Sequence, residues 1–171
     1  MKRFFTILLL CISLIMSAKT TDMTAIFIYQ FTKLIEWPDS YKSGMFRIGV
    51  LGSFDTYKEV SNVTLGRNVG NQNIEVMNIV NRNLISLTNY HIIVVGDEFC
   101  TSENIKYIHD QLKGKPTLII SNKLNYKCPG ICVGFENSGG GDSRYFFEQK
   151  CIEAKGLKCS RDFIQWGRRD D

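Results

Sequence analysis

Two short segments in the middle of the chain, YHIIVVGD (90–97) and PTLIISN (116–122), are almost continuously apolar and rich in β-branched residues. A strand buried on one face alternates apolar and polar side chains, whereas a strand buried on both faces reads as an unbroken apolar run. A helical pattern, SENIKYIHDQLKG (102–114), separates the two segments. The order strand, helix, strand predicts parallel strands that are covered by helices on both faces, which is an α/β fold.

The same alternation extends along most of the chain. Strands are predicted at 46–52, 73–80 and 130–137, and helices at 53–63, at 148–155 and from about Ser160. The glycine run SGGGD (138–142) is interpreted as a hairpin turn and not as a phosphate loop, because RYFFEQ follows it with the alternation of a strand instead of a helix. We therefore predict a single three-layer domain, with a mostly parallel sheet, helices on both faces and a C-terminal antiparallel hairpin.

The first eighteen residues have the features of a secretory signal peptide. Lys2 and Arg3 are basic, residues 4–16 are largely apolar, and Ser17 and Ala18 are small residues suited to cleavage. The apolar run is short for a membrane span. We expect residues 1–18 to be a cleaved signal peptide and residues 19–171 to form the exported domain, with an uncleaved anchor as the alternative.

Charge and residue spacing disfavour several classes of function. The formal net charge is +4, and loss of Lys2 and Arg3 leaves +2, because residues 1–18 contain no acidic side chain. This small excess does not indicate nucleic-acid binding. His91 and His109 lack metal-ligand spacing, CPGIC (128–132) is one residue longer than Cys-x-x-Cys, and no catalytic triad is evident. We predict no cofactor, no metal and no enzymatic activity.

Export to an oxidising compartment favours disulfides among the remaining cysteines. Cys100 and Cys128 follow successive parallel strands, so both are expected at the carboxyl edge of the sheet, and we predict that they pair. Cys151 and Cys159 flank a glycine turn, and we predict a second bridge between them. Cys132 is the spare thiol in this scheme.

The segment TAIFIYQFTKLIEWPD (24–39) predicts a helix to about Glu36, because the residue before Pro38 is disfavoured in helical geometry. Its apolar residues extend almost around the helix, so it is buried on two sides or partly bound to a partner. AIFIYQFTKLIEWP (25–38) resembles the opening helix of the YfiR family, which follows Ala-x-Phe-ϕ-Tyr-Asn-Phe-x-Lys-ϕ-ϕ-Glu-Trp-Pro, where ϕ is apolar. Further segments fall in the order of that family, and the resemblance covers about residues 24–166: FRIGVLG, NYHIIVV, PTLIISN, GICVGFEN and RYFFEQKCIEAKGLKCSRDFI.

This resemblance implies a periplasmic, non-enzymatic repressor. Such a protein binds the periplasmic part of an inner-membrane diguanylate cyclase, or of a sensor kinase, and thereby lowers cyclic-di-GMP signalling and biofilm formation. Within the motif we predict that Tyr29, Lys33, Glu36 and Trp37 point toward the surface and contact the partner. The second apolar face of the helix can serve either this client or a homodimer.

Two qualifications accompany this hypothesis. Tyr90 stands where the family often has a cysteine before the histidine, so disulfide-linked redox sensing is not carried over to this chain. The alternative function is a periplasmic small-ligand sensor or solute-binding module, which would use the carboxyl edge of the sheet near Gly52, Gly96 and Ser121.

Overall fold

The computed structural model describes residues 23–138 and 142–170, so the predicted signal peptide and the centre of the glycine-rich turn lie outside the described residues. The helices are α1 (Met23–Leu34), α2 (Phe54–Thr64), α3 (Ser102–Gln111), α4 (Gln149–Ala154) and α5 (Arg161–Trp166). The strands are β1 (Ile35–Glu36), β2 (Phe46–Leu51), β3 (Asn68–Val69), β4 (Gln72–Ile79), β5 (Ile92–Val95), β6 (Leu118–Ser121), β7 (Val133–Ser138), β8 (Asp142–Phe147), β9 (Lys158–Cys159) and β10 (Arg168–Arg169). Short 3-10 turns lie at Asp39–Tyr41, Arg82–Leu87 and Asp97–Phe99.

The main sheet has eight strands in the order β10-β8-β7-β6-β5-β2-β4-β3. The five central strands, from β7 to β4, are all parallel, with Ile92 paired to Ile48 on one side and to Leu118 on the other. β8 runs antiparallel to β7, which confirms the predicted C-terminal hairpin. The second sheet consists only of β1 and β9.

All four residues of strand β5 are apolar because the strand is buried on both faces. Ile92 and Val94 face a core formed with α1, α2, α4 and α5, whereas Ile93 and Val95 face a second core formed with α3 and the Arg82–Leu87 turn. All four side chains are completely buried. The three-layer α/β architecture predicted from the continuous apolar strands is therefore confirmed.

Helix α1 ends at Leu34, two residues before the predicted end. Ile35 and Glu36 leave helical geometry because they pair antiparallel with Cys159 and Lys158. The carbonyl of Leu34, which would otherwise lack a partner at the helix end, accepts a hydrogen bond from the backbone N–H of Ser160 at 2.8 Å. The helix is thus ended by a pairing with a distant segment, and not by Pro38 alone.

The predicted disulfide pairings are corrected by the structure. Cys132 is bonded to Cys151, and Cys100, Cys128 and Cys159 are free thiols. The prediction left Cys132 as the spare thiol, but this residue precedes β7 and faces the core that α4 covers. Its Cα therefore lies 5.2 Å from that of Cys151, a normal separation for a bridge.

The free thiols are held in other contacts. Cys100 is buried, and its Sγ lies 3.2 Å from Oγ of Ser121. It is not bonded to Cys128, although both belong to the same apolar cluster. Cys159 lies in β9, and burial raises the pKa of its thiol to about 11. A thiol with so high a pKa is almost entirely protonated at neutral pH, which makes it a poor nucleophile for disulfide exchange.

We expect loss of the Cys132–Cys151 bridge to lower the free energy of unfolding by about 3 kcal/mol, because the bridge closes a loop between residues 19 positions apart. Urea unfolding with and without reductant measures this difference. The effect should persist in Cys128→Ser, which keeps the bridge, and vanish in the double variant Cys132→Ala/Cys151→Ala. Peptide mapping that linked Cys151 to Cys159 would contradict the assignment.

Candidate functional site

The carboxyl edge of the parallel sheet is closed at the position where such folds usually bind ligands. Strand order reverses between β2 and β5, and the residues that follow these strands are Gly52 and Gly96. A Cβ atom on Gly52 would collide with the ring of Phe99, and one on Gly96 would lie 2.8 Å from the Gly52 carbonyl oxygen. Ser121 is completely buried. Gly52 and Gly96 are therefore packed against each other and Gly52 against Phe99, while Ser121 is buried beside Cys100.

The opposite edge of the sheet carries a groove of about 800 Å³. We call it the amino-edge groove, because Phe46 and Gln72, the first residues of β2 and β4, lie in its wall. It is lined by residues 32–37, Lys42, Phe46, residues 68–72 and residues 158–160. The end of the opening motif thus faces two segments that are distant in sequence.

Two contacts hold the walls of this groove in place. The β1–β9 ladder fixes Lys158 opposite Glu36. On the other side, the buried side chain of Gln72 donates from Nε2 to the carbonyl oxygens of Tyr41, at 3.0 Å, and Ser43, at 3.2 Å. The turn that carries Lys42 is therefore attached to the main sheet.

Trp37 is the largest side chain in the wall of the groove, and it is 4% exposed. Its indole ring meets the ring of Phe46 edge-on, with centroids 5.0 Å apart. Among the described residues, its Nε1–H has no hydrogen-bond acceptor. A buried donor without a partner costs about 1–3 kcal/mol. Hydrogen bonding therefore does not account for the position of Trp37.

His91 packs behind Phe46, which lies in the wall of the groove. Its ring stacks on that of Phe46, with centroids 4.1 Å apart. Nδ1 accepts a hydrogen bond from the backbone N–H of Arg47 at 3.1 Å, and Nε2 then donates to the carbonyl of Tyr41 at 2.8 Å. Both nitrogens are satisfied in the neutral imidazole, as expected for a core histidine. Burial, opposed by the bond to Tyr41, lowers the pKa of His91.

The rim of the groove is basic. Lys33, Lys42 and Lys158 line it together with a single carboxylate, Glu36. Lys42 is already paired, because its Nζ lies 3.2 Å from Glu36 and 2.8 Å from Asp39. Lys33 and Lys158 form no ion pair with any described residue. The groove therefore presents the ammonium groups of Lys33, which also lies over the ring of Tyr29, and of Lys158 beside apolar walls, which suits an acidic and partly apolar ligand.

The structure brings three of the four predicted contact residues into the groove: Lys33, Glu36 and Trp37. Tyr29 lies elsewhere, between the Nζ of Lys33 at 4.6 Å and the guanidinium of Arg67 at 4.5 Å. The prediction that Tyr29 and Trp37 point toward the surface is wrong, since both are more than nine-tenths buried. Only the two charged members of the motif are exposed.

Sequence reasoning missed the wall residues that come from other segments: Lys42, Phe46, Gln72, Lys158 and Ser160. No local pattern marks them, because their position depends on the β1–β9 pairing and on the turn after Pro38. In residues 23–138 and 142–170, no three side chains of His, Cys, Asp or Glu are grouped as metal ligands. No helix within these ranges has the length and hydrophobicity of a membrane span.

Comparison with known proteins gives one family match. A family model described as YfiR/HmsC-like matches residues 21–168. A search of curated proteins finds no match. Among solved structures, the ABC domain in complex with L-Trp from Streptococcus pneumonia is similar, with a TM-score of 0.48 and 9% sequence identity. That alignment covers 72% of this chain and 54% of the other.

The neutral state of His91 predicts a dependence of stability on pH. Because its pKa is lowered in the folded state from the ordinary value of 6.5, the unfolded chain binds more protons below that pH. This residue's contribution is complete above pH 6.5 and decreases by up to about 1.4 kcal/mol per pH unit as the pH falls. Urea unfolding between pH 5 and 8 should show a steeper loss in the wild type than in His91→Gln.

His109→Gln is the matched control, because His109 is exposed and lies outside the packing around Phe46. Its stability profile should follow that of the wild type. Parallel profiles for the wild type and His91→Gln would show that His91 is not the group that titrates.

Proposed function

Because the chain belongs to the YfiR/HmsC-like family, we propose that it is exported to the periplasm and represses a membrane signalling protein there. The client is the periplasmic part of an inner-membrane diguanylate cyclase or sensor kinase, and repression lowers cyclic-di-GMP signalling. Proteins of this family are periplasmic, regulatory and non-catalytic, and they act in diguanylate cyclase signalling. In this proposal residues 1–18 are the signal peptide and residues 19–171 form the regulatory domain.

The observation that carries the proposal is the amino-edge groove itself, in which the exposed Lys33 and Glu36 of the opening motif lie beside Lys158 and the packed ring of Trp37. Tryptophan in a well-packed pocket is a frequent anchor of protein interfaces, because it combines a large apolar area with one hydrogen-bond donor. The indole nitrogen of Trp37 is shielded from the surface, so an acceptor on the client would reach it only if binding displaced part of the groove wall. The apolar side chains of Leu34, Ile35 and Val69 would provide the surrounding contact area.

The shape of the groove favours an extended segment of the client. Strand β3 is the last strand of the eight-stranded sheet, and it lines the groove with both of its residues, Asn68 and Val69. An edge strand offers unpaired backbone groups to an added strand. An extended client segment with acidic side chains would therefore meet backbone partners along β3 and the ammonium groups of Lys33 and Lys158 across the groove.

We expect the double variant Lys33→Glu/Lys158→Glu to bind the client at least about tenfold more weakly, because two attractive rim charges become repulsive. The tagged protein, exported in its own cell, serves as bait against the detergent-solubilised envelope, and captured proteins are identified by mass spectrometry. Cyclic-di-GMP is measured in the deletion strain that carries each variant. Lys58→Glu on α2 is the control, because it reverses an exposed charge outside the groove.

The proposal requires that the wild type and Lys58→Glu capture a membrane cyclase or sensor kinase and lower cyclic-di-GMP in the deletion strain. The double groove variant should remain folded, with a melting temperature lowered at most slightly by the carboxylates now opposite each other in the β1–β9 ladder, and do neither. Capture and repression by the groove variant at wild-type levels would place the client surface elsewhere. Absence of any change in cyclic-di-GMP on deletion would argue against repression of a cyclase.

Two substitutions of Trp37 distinguish its contribution to the stability of the fold from its contribution to client binding. Trp37→Ala should lower the free energy of unfolding by about 3–5 kcal/mol, because it removes a buried aromatic ring. Trp37→Phe keeps most of the ring and removes a donor that has no partner, so its cost should be much smaller. If the client accepts from Nε1, Trp37→Phe should still weaken client binding about five- to tenfold. Client binding equal to that of the wild type would exclude the indole N–H from the interface.

A further inference from the structure

A second cleft, of about 620 Å³, opens near the amino-edge groove. It lies between the end of α3 with its following turn, the loop at 129–130, and helix α4. Four lysines line it: Lys113, Lys115, Lys150 and Lys155. We call it the lysine cleft.

The charge in this cleft is one-sided. The imidazole of His109 also lines it, and Glu148 is the one acidic residue in the lining. The whole chain has 21 lysines and arginines against 17 acidic residues, whereas the lining of this cleft has four lysines against one carboxylate. A concave surface of one sign concentrates anions, because the walls of low dielectric focus the field.

Few of these ammonium groups are neutralised. The Nζ of Lys115 donates to the carbonyl of Ser86 at 2.9 Å. Lys113, Lys150 and Lys155 form no ion pair with any residue in the described part of the chain. Like charges in one cleft repel one another, and a bound anion would reduce that repulsion.

Lys155 is the most informative of the four. Its side chain is half-buried, no described residue accepts a hydrogen bond from its ammonium, and burial lowers its pKa. A buried charge is normally paired, because removal of its hydration is costly. The ammonium of Lys155 is thus partly removed from water without a partner among the described residues, so a bound anion would gain a strong contact there.

The walls of the cleft leave room for such a partner. Gly114 and Gly156 both have positive φ, and a Cβ atom built on either would meet nothing within 4 Å. The Cys132–Cys151 bridge fixes α4, which carries Lys150, beside the loop at 129–130. The lysines are thus arranged around an open space whose shape the disulfide maintains.

We propose that the lysine cleft binds a phosphate group, carried either by a soluble phosphate ester or by a phospholipid headgroup. Lysine binds phosphate as a point charge from any direction, and several lysines together match a group that carries more than one negative charge. A carboxylate has a single charge and would leave more of the cleft's charge uncompensated.

The position of the cleft suggests what this site contributes. Lys155 and Gly156 line the lysine cleft, while Lys158 and Cys159, only a few residues further, line the amino-edge groove. Both sites therefore open at the amino edge of the sheet. A phosphate bound in the cleft would lie beside any protein bound in the groove. Phosphate binding is a property additional to the proposed repression, and it does not depend on that repression.

The test uses the purified exported protein without any client. Binding of inorganic phosphate and glycerol 3-phosphate is measured by calorimetry and by the rise in melting temperature at low ionic strength. Binding to phosphatidylglycerol vesicles, with phosphatidylcholine vesicles for comparison, is measured by co-sedimentation. Lys155→Gln should weaken phosphate binding about tenfold, and Lys155→Arg should largely restore it. Lys58→Gln is the control, because it removes the same charge outside the cleft.

The melting temperature of Lys155→Gln gives a second test of the proposal. Because it removes an unpaired ammonium, its melting temperature without phosphate should equal or exceed that of the wild type. A purely structural lysine would instead give a less stable variant, and that result would contradict the proposal.

The remaining outcomes separate the two sources of phosphate. Binding of glycerol 3-phosphate but not of vesicles would assign the cleft to soluble phosphate esters. Binding of phosphatidylglycerol vesicles that Lys155→Gln abolishes would assign it to a headgroup. Failure of phosphate and vesicles to bind the wild type, or equal binding by wild type and Lys155→Gln, would overturn the proposal and leave the client groove unaffected.

Discussion

The antiparallel ladder between Ile35–Glu36 and Lys158–Cys159 joins the first and last parts of the described domain, and the amino-edge groove depends on it. The ladder ends α1, satisfies the carbonyl of Leu34 through Ser160, and brings Lys158 to the rim opposite Glu36. Two residues per strand would not be stable alone. The ladder persists because Ile35 and its neighbours pack on the core beneath the sheet. The geometry of the groove is therefore a product of tertiary packing.

Much of the fold follows from local sequence. The strands at 92–95 and 118–121 are predictable because burial on both faces requires an unbroken run of apolar side chains. The hairpin is predictable because the alternation of a strand resumes directly after the glycines. These signals lie within a few residues of one another. Their agreement explains why a three-layer α/β domain could be predicted without any structure.

The contacts that the sequence did not reveal are all long-range. The Cys132–Cys151 bridge depends on α4 packing over the start of β7, and the early end of α1 depends on β9. The candidate site could be predicted only in part for the same reason. Lys33 and Glu36 belong to a recognisable motif, whereas Gln72 reaches the groove through hydrogen bonds to a turn some thirty residues away. A local pattern contains no information about such a partner.

The arrangement of this domain reverses the usual use of a doubly wound sheet. Phe99 and the close contact between Gly52 and Gly96 fill the carboxyl edge, where such sheets commonly hold ligands. Open space, unpaired ammonium groups and an unsatisfied donor occur instead at the amino edge. The amino-edge groove proposed to bind the client and the lysine cleft therefore lie at the same edge of the sheet.

The burial of Trp37 also means that tryptophan fluorescence can report on the amino-edge groove. The chain has two tryptophans, and Trp166 is 56% exposed whereas Trp37 is 4% exposed. Indole emission shifts to longer wavelength when the ring meets water, so the two residues emit at different wavelengths in the folded state. Replacement of Trp166 by phenylalanine would leave a single fluorophore in the wall of the groove. Its spectrum would then follow both the unfolding of the domain and the arrival of any molecule that contacts the indole.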